Sequence, residues 1–306
     1  MSAPFSVLIL TYNEEANLPG CLASVAELSD DVHVVDSFST DRTVEIARQY
    51  GAAVAQHEFA YPAQQKNWAL DNLAFKHNWL LVLDADERVP PDLGAEIARV
   101  VQADGDGKDG FWMRYRLMFY GKWIRHCGWY PTWILRLVRL GKVRWEDRPV
   151  DEHAVVAGNA GRLRHDLIHE SQRDMHFWIA KHNGYSTHNA RIFALAGSDG
   201  ADGVKPRLWG NQAERKRFIK QRIWPHLPGR ALFFFLYMYF FRLGFLDGAH
   251  GFHFCVMHAI FQQLVVVKQW EQEQDKSRRR EAAIPTLKSA VPLLEQPGYD
   301  KNKLIS

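Results

Sequence analysis

Three carboxylates, Asp84, Asp86 and Glu87, fall within four residues, directly after the apolar run Trp79–Leu83. Such charges repel one another and resist burial, so something must hold them at the end of a buried segment. A divalent cation would do so, because hard cations take oxygen ligands. A cation held there can also bind a diphosphate and neutralise it as it leaves. The plainer alternative is a solvated turn, with Glu87 and Arg88 as surface charges. Asn13 with Glu14, and Ser39 with Thr40 and Asp41, are each explicable as helix caps, and Lys66 with Asn67 as an exposed helix face. Together they supply carboxylates for a base N–H or ribose hydroxyls, a lysine for phosphate and an acidic cluster for metal. That set suits a nucleotide-diphosphate compound.

The elements that must carry these groups alternate. Phe5–Leu10, Val32–Asp36, Ala52–Gln56 and Trp79–Asp84 read as strands. Glu14–Leu28, Thr40–Tyr50, Ala63–Phe75 and Pro91–Gln102 read as the helices between and after them. Continuous apolar strands in a βαβα order predict a mostly parallel sheet with helices on both faces. Ligands bind beyond the carboxyl ends of such strands, which is where the polar clusters fall. After the loop Asp104–Gly110 the texture becomes aromatic and arginine-rich with β-like alternation, and His165–Ala196 then reads as helical.

At 306 residues, 47% apolar and 24% charged, the chain has a globular composition. A net charge of +3 does not point to nucleic acid. Cys21, Cys127 and Cys255 form no CxxC pair and no zinc spacing, which suggests a reducing compartment. The N-terminus lacks a basic, apolar leader, so the expected site of action is the cytoplasm.

The stretches SVLILTYNEEANL, VVDSFSTDRTVEIA, QQKNWAL and WLLVLDADE, in this order and spacing, resemble the family 2 glycosyltransferases of the GT-A fold. The resemblance implies an α/β, Rossmann-like nucleotide-diphospho-sugar transferase that inverts the anomeric centre by direct displacement. It places Thr11, Tyr12, Asn13 and Glu14 in the nucleotide pocket, with Asp36, Ser39 and Asp41 near the base and ribose. Lys66 and Asn67 match a position close to the donor, and Asp84 and Asp86 match the pair holding Mg²⁺ or Mn²⁺. Phe38 stands where many relatives carry glycine. The attacking hydroxyl needs a base, and the stretch LRLVRLGKVRWEDRPVDEH resembles envelope glycosyltransferases in a way that assigns Glu152 to this role, with Asp151 as rival. Trp123, Trp129, Tyr130 and Trp133 offer flat faces to acceptor sugar rings, and Arg125 and Arg136 could pair with acidic groups.

Ala231–Phe241 and Phe252–Val267 are apolar runs of eleven and sixteen residues. Both are short of the about 20 needed to span a bilayer. Eight Lys or Arg between Lys205 and Arg230 precede them, so the expectation is two amphipathic helices lying in one leaflet, drawn to anionic lipid. HESQRDMHFWIAKHNGYSTHNARI and the GFLDGAHG pair resemble lipopolysaccharide core glucosyltransferases. The division expected is 1–110 for the donor half, 111–200 for the acceptor and base half, 205–270 for membrane association and 271–306 as a charged tail. The reading is a hexosyltransferase, using glucose from UDP-glucose, at the cytoplasmic face of the inner membrane. Its partners are inner-leaflet lipids and a lipid-anchored saccharide such as lipopolysaccharide core, and the sequence does not give an oligomeric state. A polyprenyl-phosphate acceptor, a nucleotidyltransferase and an inactive glycan-binding module are the alternatives.

Overall fold

The computed structural model describes residues 4–146, 154–195, 224 and 227–294. The chain divides into two compact units, Met1–Met175 with Tyr237–Cys255, and His176–Leu236 with Val256–Ser306.

In the first unit, β1 (Ser6–Thr11), β2 (Val32–Asp36), β3 (Ala53–Gln56) and β4 (Trp79–Asp84) alternate with α1 (Leu18–Val25), α2 (Thr43–Gln49) and α3 (Pro62–Asn72). Then follow β5 (Glu87–Arg88), α4 (Pro91–Gln102), β6 (Gly110–Phe119), β7 (Lys122–Trp123), β8 (Trp133–Arg139), β9 (Val143–Trp145), β10 (Ala154–Val156) and β11 (Ala160–Glu170). The main sheet runs β3-β2-β1-β4-β8-β6-β11-β5, with β7 paired to β6, while β9 and β10 form a separate antiparallel pair. β1 lies parallel to both β2 and β4, in a register that sets Thr11 beside Asp36 and Leu10 beside Asp84. Three polar strand ends therefore share one rim.

The near-continuous apolar character of these strands follows from burial on both faces. Val7 and Ile9 pack with Leu22 of α1, Ile46 of α2 and Ile97 of α4, whereas Leu8, Val35 and Val82 pack with Ala63 and Ala69 of α3. Residues 111–119 and 160–170 belong to the same sheet as the first hundred.

The segment expected to be helical from His165 instead divides. It continues as a strand to Glu170, and α5 covers Met175–Leu195. The β11–β6 ladder shifts register between Arg162 and Asp166. Glu96 of α4 serves the freed backbone there, accepting from Arg164 N at 2.9 Å, His165 N at 3.0 Å and His165 Nδ1 at 2.8 Å. Burial works to raise the Glu96 carboxyl, but these donors outweigh it and hold it below the ordinary glutamate range. A depressed folded value gives stability that is present above the unfolded value of about 4.3 and is lost as pH falls through the folded one. Glu96→Gln should therefore cost about 1–3 kcal/mol at neutral pH. The gap to the parent should narrow steadily below about pH 4 in urea titrations.

Further along the first unit, a π-turn at Tyr237–Phe241 and a short 3-10 turn at Gly244–Asp247 make a tight corner. A Cβ on Gly251 would come within 2.1 Å of the Gly244 carbonyl oxygen, so the corner closes only with glycine. Buried Asp247 accepts from the backbone N and Nδ1 of His126, both at 2.8 Å.

In the second unit, Trp178 stacks on His182 at 3.5 Å, and Lys268 donates to the Asn183 carbonyl at 2.7 Å. The helix that follows the corner runs Gly248–Leu294, much longer than the expected Phe252–Val267, and replaces the first part of the expected loose tail. Strong helix formers beyond Trp270 extend it. Gly244–Arg278 is long and apolar enough to cross a membrane by length and composition, with a mean hydropathy of 1.3 in its apolar window. The basic run from Lys205 lies largely outside the described residues.

Candidate active site

Asp36 is fully buried and organises the rim. It accepts from Thr11 Oγ1 at 3.1 Å, Ser39 N at 2.9 Å and Gln56 Nε2 at 3.2 Å, and from the Ser39 hydroxyl. Its oxygens are engaged within the protein, so it shapes the pocket wall instead of presenting a free carboxylate to base or ribose. Asn13 N donates to Ser39 Oγ at 2.8 Å, and Asn13 Oδ1 accepts from Thr40 N at 2.7 Å. Asp41 accepts from Glu15 N at 3.1 Å and Thr43 N at 3.0 Å. The two loops that follow β1 and β2 are thereby knitted into one lip.

Phe38, at the glycine position of the resemblance, takes φ +58°, so the left-handed turn is kept without glycine. Its ring and that of Tyr12 stand out from this lip, 55% and 57% exposed. Glu14 is held by Asn17 Nδ2 at 2.7 Å and by Arg173 at 3.1 Å. Burial nevertheless raises its carboxyl above the ordinary range.

The acidic turn is held by an arginine. Arg136 of β8, 8% exposed, places Nη2 on Asp84 Oδ2 and, at 2.6 Å, on Glu87 Oε1. Glu87 also accepts from Asp84 N at 2.9 Å and is 1% exposed. Loss of water acts to raise the Asp84 carboxyl, but Arg136 and then Lys66 overcome this and hold it well below the usual range. Arg136, expected to pair with acidic groups on the acceptor side, pairs with Asp84 and Glu87 of this turn, so a guanidinium holds these two carboxylates together.

Asp86 remains. His169 Nε2 of β11 lies 3.5 Å from Asp86 Oδ2. Burial opposes protonation of His169, and the carboxylates of Asp86 and Glu87 reverse this, raising it to about 9. Among the described residues no group of three or more His, Cys, Asp or Glu side chains makes an all-protein metal cage. Magnesium-type sites commonly take one or two carboxylates and complete their shell with substrate phosphate and water. The donor set of Asp86 and His169, with Asp84 alongside, fits that description once the imidazole proton is displaced.

Lys66 is buried, with Nζ 5.6 Å from the centre of the Trp145 ring. Asn67, expected close to the donor, has its amide engaged with the backbone of β9. Its side chain donates to the Trp145 carbonyl at 2.8 Å and accepts from Trp145 N at 3.0 Å, acting as a strand partner for the end of β9. Asn67 therefore anchors the backbone from which residues 147–153 depart. Those residues, with the candidate bases Asp151 and Glu152, lie outside the described residues. On the acceptor side, Arg125 is exposed, Tyr130 donates to Asp166 Oδ2 at 3.1 Å, and Trp129 packs edge-on against Phe254 at 5.7 Å.

Sequence reasoning did not place three contributors at this turn and lip: Arg136, expected on the acceptor side, His169 beside Asp86, and Arg173 behind Glu14. All three reach the rim across the sheet, so no local spacing marks them.

Comparison with known proteins adds lineage to this geometry. The chain is 29% identical over 287 residues to the lipopolysaccharide core biosynthesis glycosyltransferase LpsC of Rhizobium meliloti, covering 90% of this chain and 95% of that protein. An uncharacterised glycosyltransferase of Rickettsia felis is 41% identical over 92 residues, 30% of this chain and 32% of that protein. Among solved structures, the mannosyltransferase PcManGT of Pyrobaculum calidifontis, in complex with GDP-Man and Mn²⁺, aligns at a TM-score of 0.48. It is 16% identical, and the alignment covers 88% of both chains. Residues 6–168, more than half of the chain, match the model for glycosyl transferase family 2. The chain belongs to that family and is a glycosyltransferase.

Proposed function

We propose that this glycosyltransferase moves a hexose, glucose from UDP-glucose, with inversion onto a membrane-anchored saccharide of the lipopolysaccharide core type. The observation that carries the reading is the rim itself. Thr11, Asp36 and Asp84 end three adjacent strands, and the Asp86–His169 pair stands beside the Arg136 clamp. The relationship to LpsC supports the acceptor class.

Tyr12, Asn13 and Glu14 line the nucleotide pocket, with the lip set by Asp36, Ser39 and Asp41. Lys66 contributes positive charge toward the donor phosphates. Asp86 and His169, with Asp84, would hold Mg²⁺ or Mn²⁺, which supplies charge neutralisation for the departing diphosphate. Arg136 keeps Asp84 ionised and holds Glu87 in place, so the rim does not reorganise as charge develops. Glu152, or Asp151 beside it, takes the proton of the acceptor hydroxyl as that oxygen attacks opposite the nucleotide. Asn67 positions the strand that leads to this base.

The corner after Leu236 supports peripheral attachment to lipid on the cytoplasmic side. Phe240, Phe241, Leu243, Phe245 and Leu246 are between 44% and 79% exposed within seven residues. An apolar patch of this density marks an interaction surface, not ordinary solvent contact.

The test is full-length protein incubated with a panel of nucleotide sugars, Mg²⁺ or Mn²⁺, and membrane lipid extract, read by mass spectrometry. Consumption of UDP-glucose with gain of one hexose on a lipid-linked saccharide is expected. A product carrying a transferred nucleotide, or no turnover of any donor, defeats the reading. In parallel, Phe241→Asp should lower co-sedimentation with anionic vesicles, and unchanged co-sedimentation would remove the membrane component.

A further inference from the structure

Beyond Trp112, the outer end of β6 carries Arg114 and Arg116 two residues apart, hence on one face of the strand. Arg162 of β11 lies near them, paired in register with Trp112, and Arg125 follows β7. Two tryptophans are each flanked by two of these guanidinium groups. Trp123 has Arg116 at 5.0 Å and Arg125 at 5.5 Å from its centre, and Trp133 has Arg162 at 4.8 Å and Arg114 at 5.3 Å.

Among the described residues, one carboxylate answers this charge. Asp166, 4% exposed, contacts Arg114 Nε at 2.8 Å and Arg116 Nε at 3.0 Å, and accepts from Tyr130 OH at 3.1 Å. Four guanidiniums and one carboxylate leave an excess of three positive charges on one face. Like charges on neighbouring strands destabilise a sheet, so a face of this kind is not accounted for by packing alone. The geometry is also that of a prepared site. Asp166 contacts Arg114 and Arg116 at Nε, and the far edge of Arg114 donates to the Arg164 carbonyl, so Arg116, Arg125 and Arg162 are the groups the face offers to an anion. A guanidinium is planar by delocalisation and presents its N–H groups in pairs, which matches the oxygen pairs of a phosphate or carboxylate, and the neighbouring indoles hold these groups in place. The buried Nε1 of Trp123 has no hydrogen-bond partner among the described residues, a donor that a bound oxygen would satisfy.

We propose that this face is a subsite for an acidic group, a phosphate or a carboxylate, borne by the saccharide acceptor. The inference rests on the glycosyl-transfer reading and narrows it: the acceptor sugar, or its immediate neighbour, is an anion. Aromatic rings packed among the arginines put apolar edges beside the charge, which suits a ring-bearing acid sugar better than a bare lipid headgroup.

Isothermal titration of full-length protein tests it with four probes: glucose 6-phosphate, glucuronate, glucose and inorganic phosphate. Saturable binding of the two acid sugars is expected, tighter than that of glucose or phosphate alone. R116Q/R162Q should weaken acid-sugar binding by about tenfold or more. UDP binding, titrated separately, reports whether the donor pocket has survived. If the double variant does not fold, R162Q alone, at an exposed position, carries the measurement. Equal binding of glucose and glucose 6-phosphate, or acid-sugar binding indifferent to the arginines, overturns the proposal. So does displacement by phosphatidylglycerol vesicles and not by excess glucose 6-phosphate, which would assign the face to lipid. Acid-sugar binding with no transfer from any nucleotide sugar would separate failure of the enzymatic reading from failure of this one.

Discussion

Asp86→Asn should lower kcat for donor turnover by about 10²–10³-fold, measured as UDP release at saturating UDP-glucose and Mn²⁺. The substitution keeps the shape of the side chain and removes its charge and its hard anionic oxygen. Because Arg136 already occupies an oxygen of Asp84, the cation and the leaving diphosphate rest chiefly on Asp86 in the proposed mechanism. The loss should appear mainly in kcat, since the charge to be compensated grows as the bond to the nucleotide breaks. The fold should be retained, because His169, the partner of Asp86, also lies beside Glu87, although some stability at neutral pH is lost with the charge that helps protonate His169. Wild-type turnover by this variant, under either metal, would remove the site from the account.

Arg136→Met should destabilise the protein by about 3–5 kcal/mol, seen as a lowered urea midpoint with an unchanged m value. The side chain is similar in length, so the cavity is small and the effect is electrostatic. Glu87, 1% exposed, would be left buried without its cation, beside Asp84. Lys66 cannot replace the fork that meets both carboxylates. Adding Glu87→Gln to the methionine variant should restore about half of the loss or more, because the neutral amide can still accept from Asp84 N. A destabilisation below about 1 kcal/mol would mean that the turn tolerates its charges by solvation after all.

The strands and their shared rim were legible because an interior parallel sheet demands uninterrupted apolar runs, and those runs end visibly in polar residues. The clamp was not. Arg136 lies far along the chain from Asp84, and only the antiparallel insertion of β8 next to β4 brings them together. The helix expected over His165–Ala196 forms from Met175 to Leu195, while His165–Glu170 continue β11, because pairing with β6, which no local periodicity reveals, claims them. The resemblance places Asn67 with Lys66 close to the donor; the pairing of its amide with Trp145 at the end of β9 depends on a contact 78 residues along the chain, which no local motif displays.

Position 38 shows what the lip inherits. With φ at +58° a phenylalanine bears a backbone strain of about 1–2 kcal/mol that glycine would escape. The requirement there is torsional, not compositional. Asparagine or glycine should substitute freely, while valine or isoleucine, whose branched carbons clash in this region of conformational space, should break the loop even though both are smaller than the native ring.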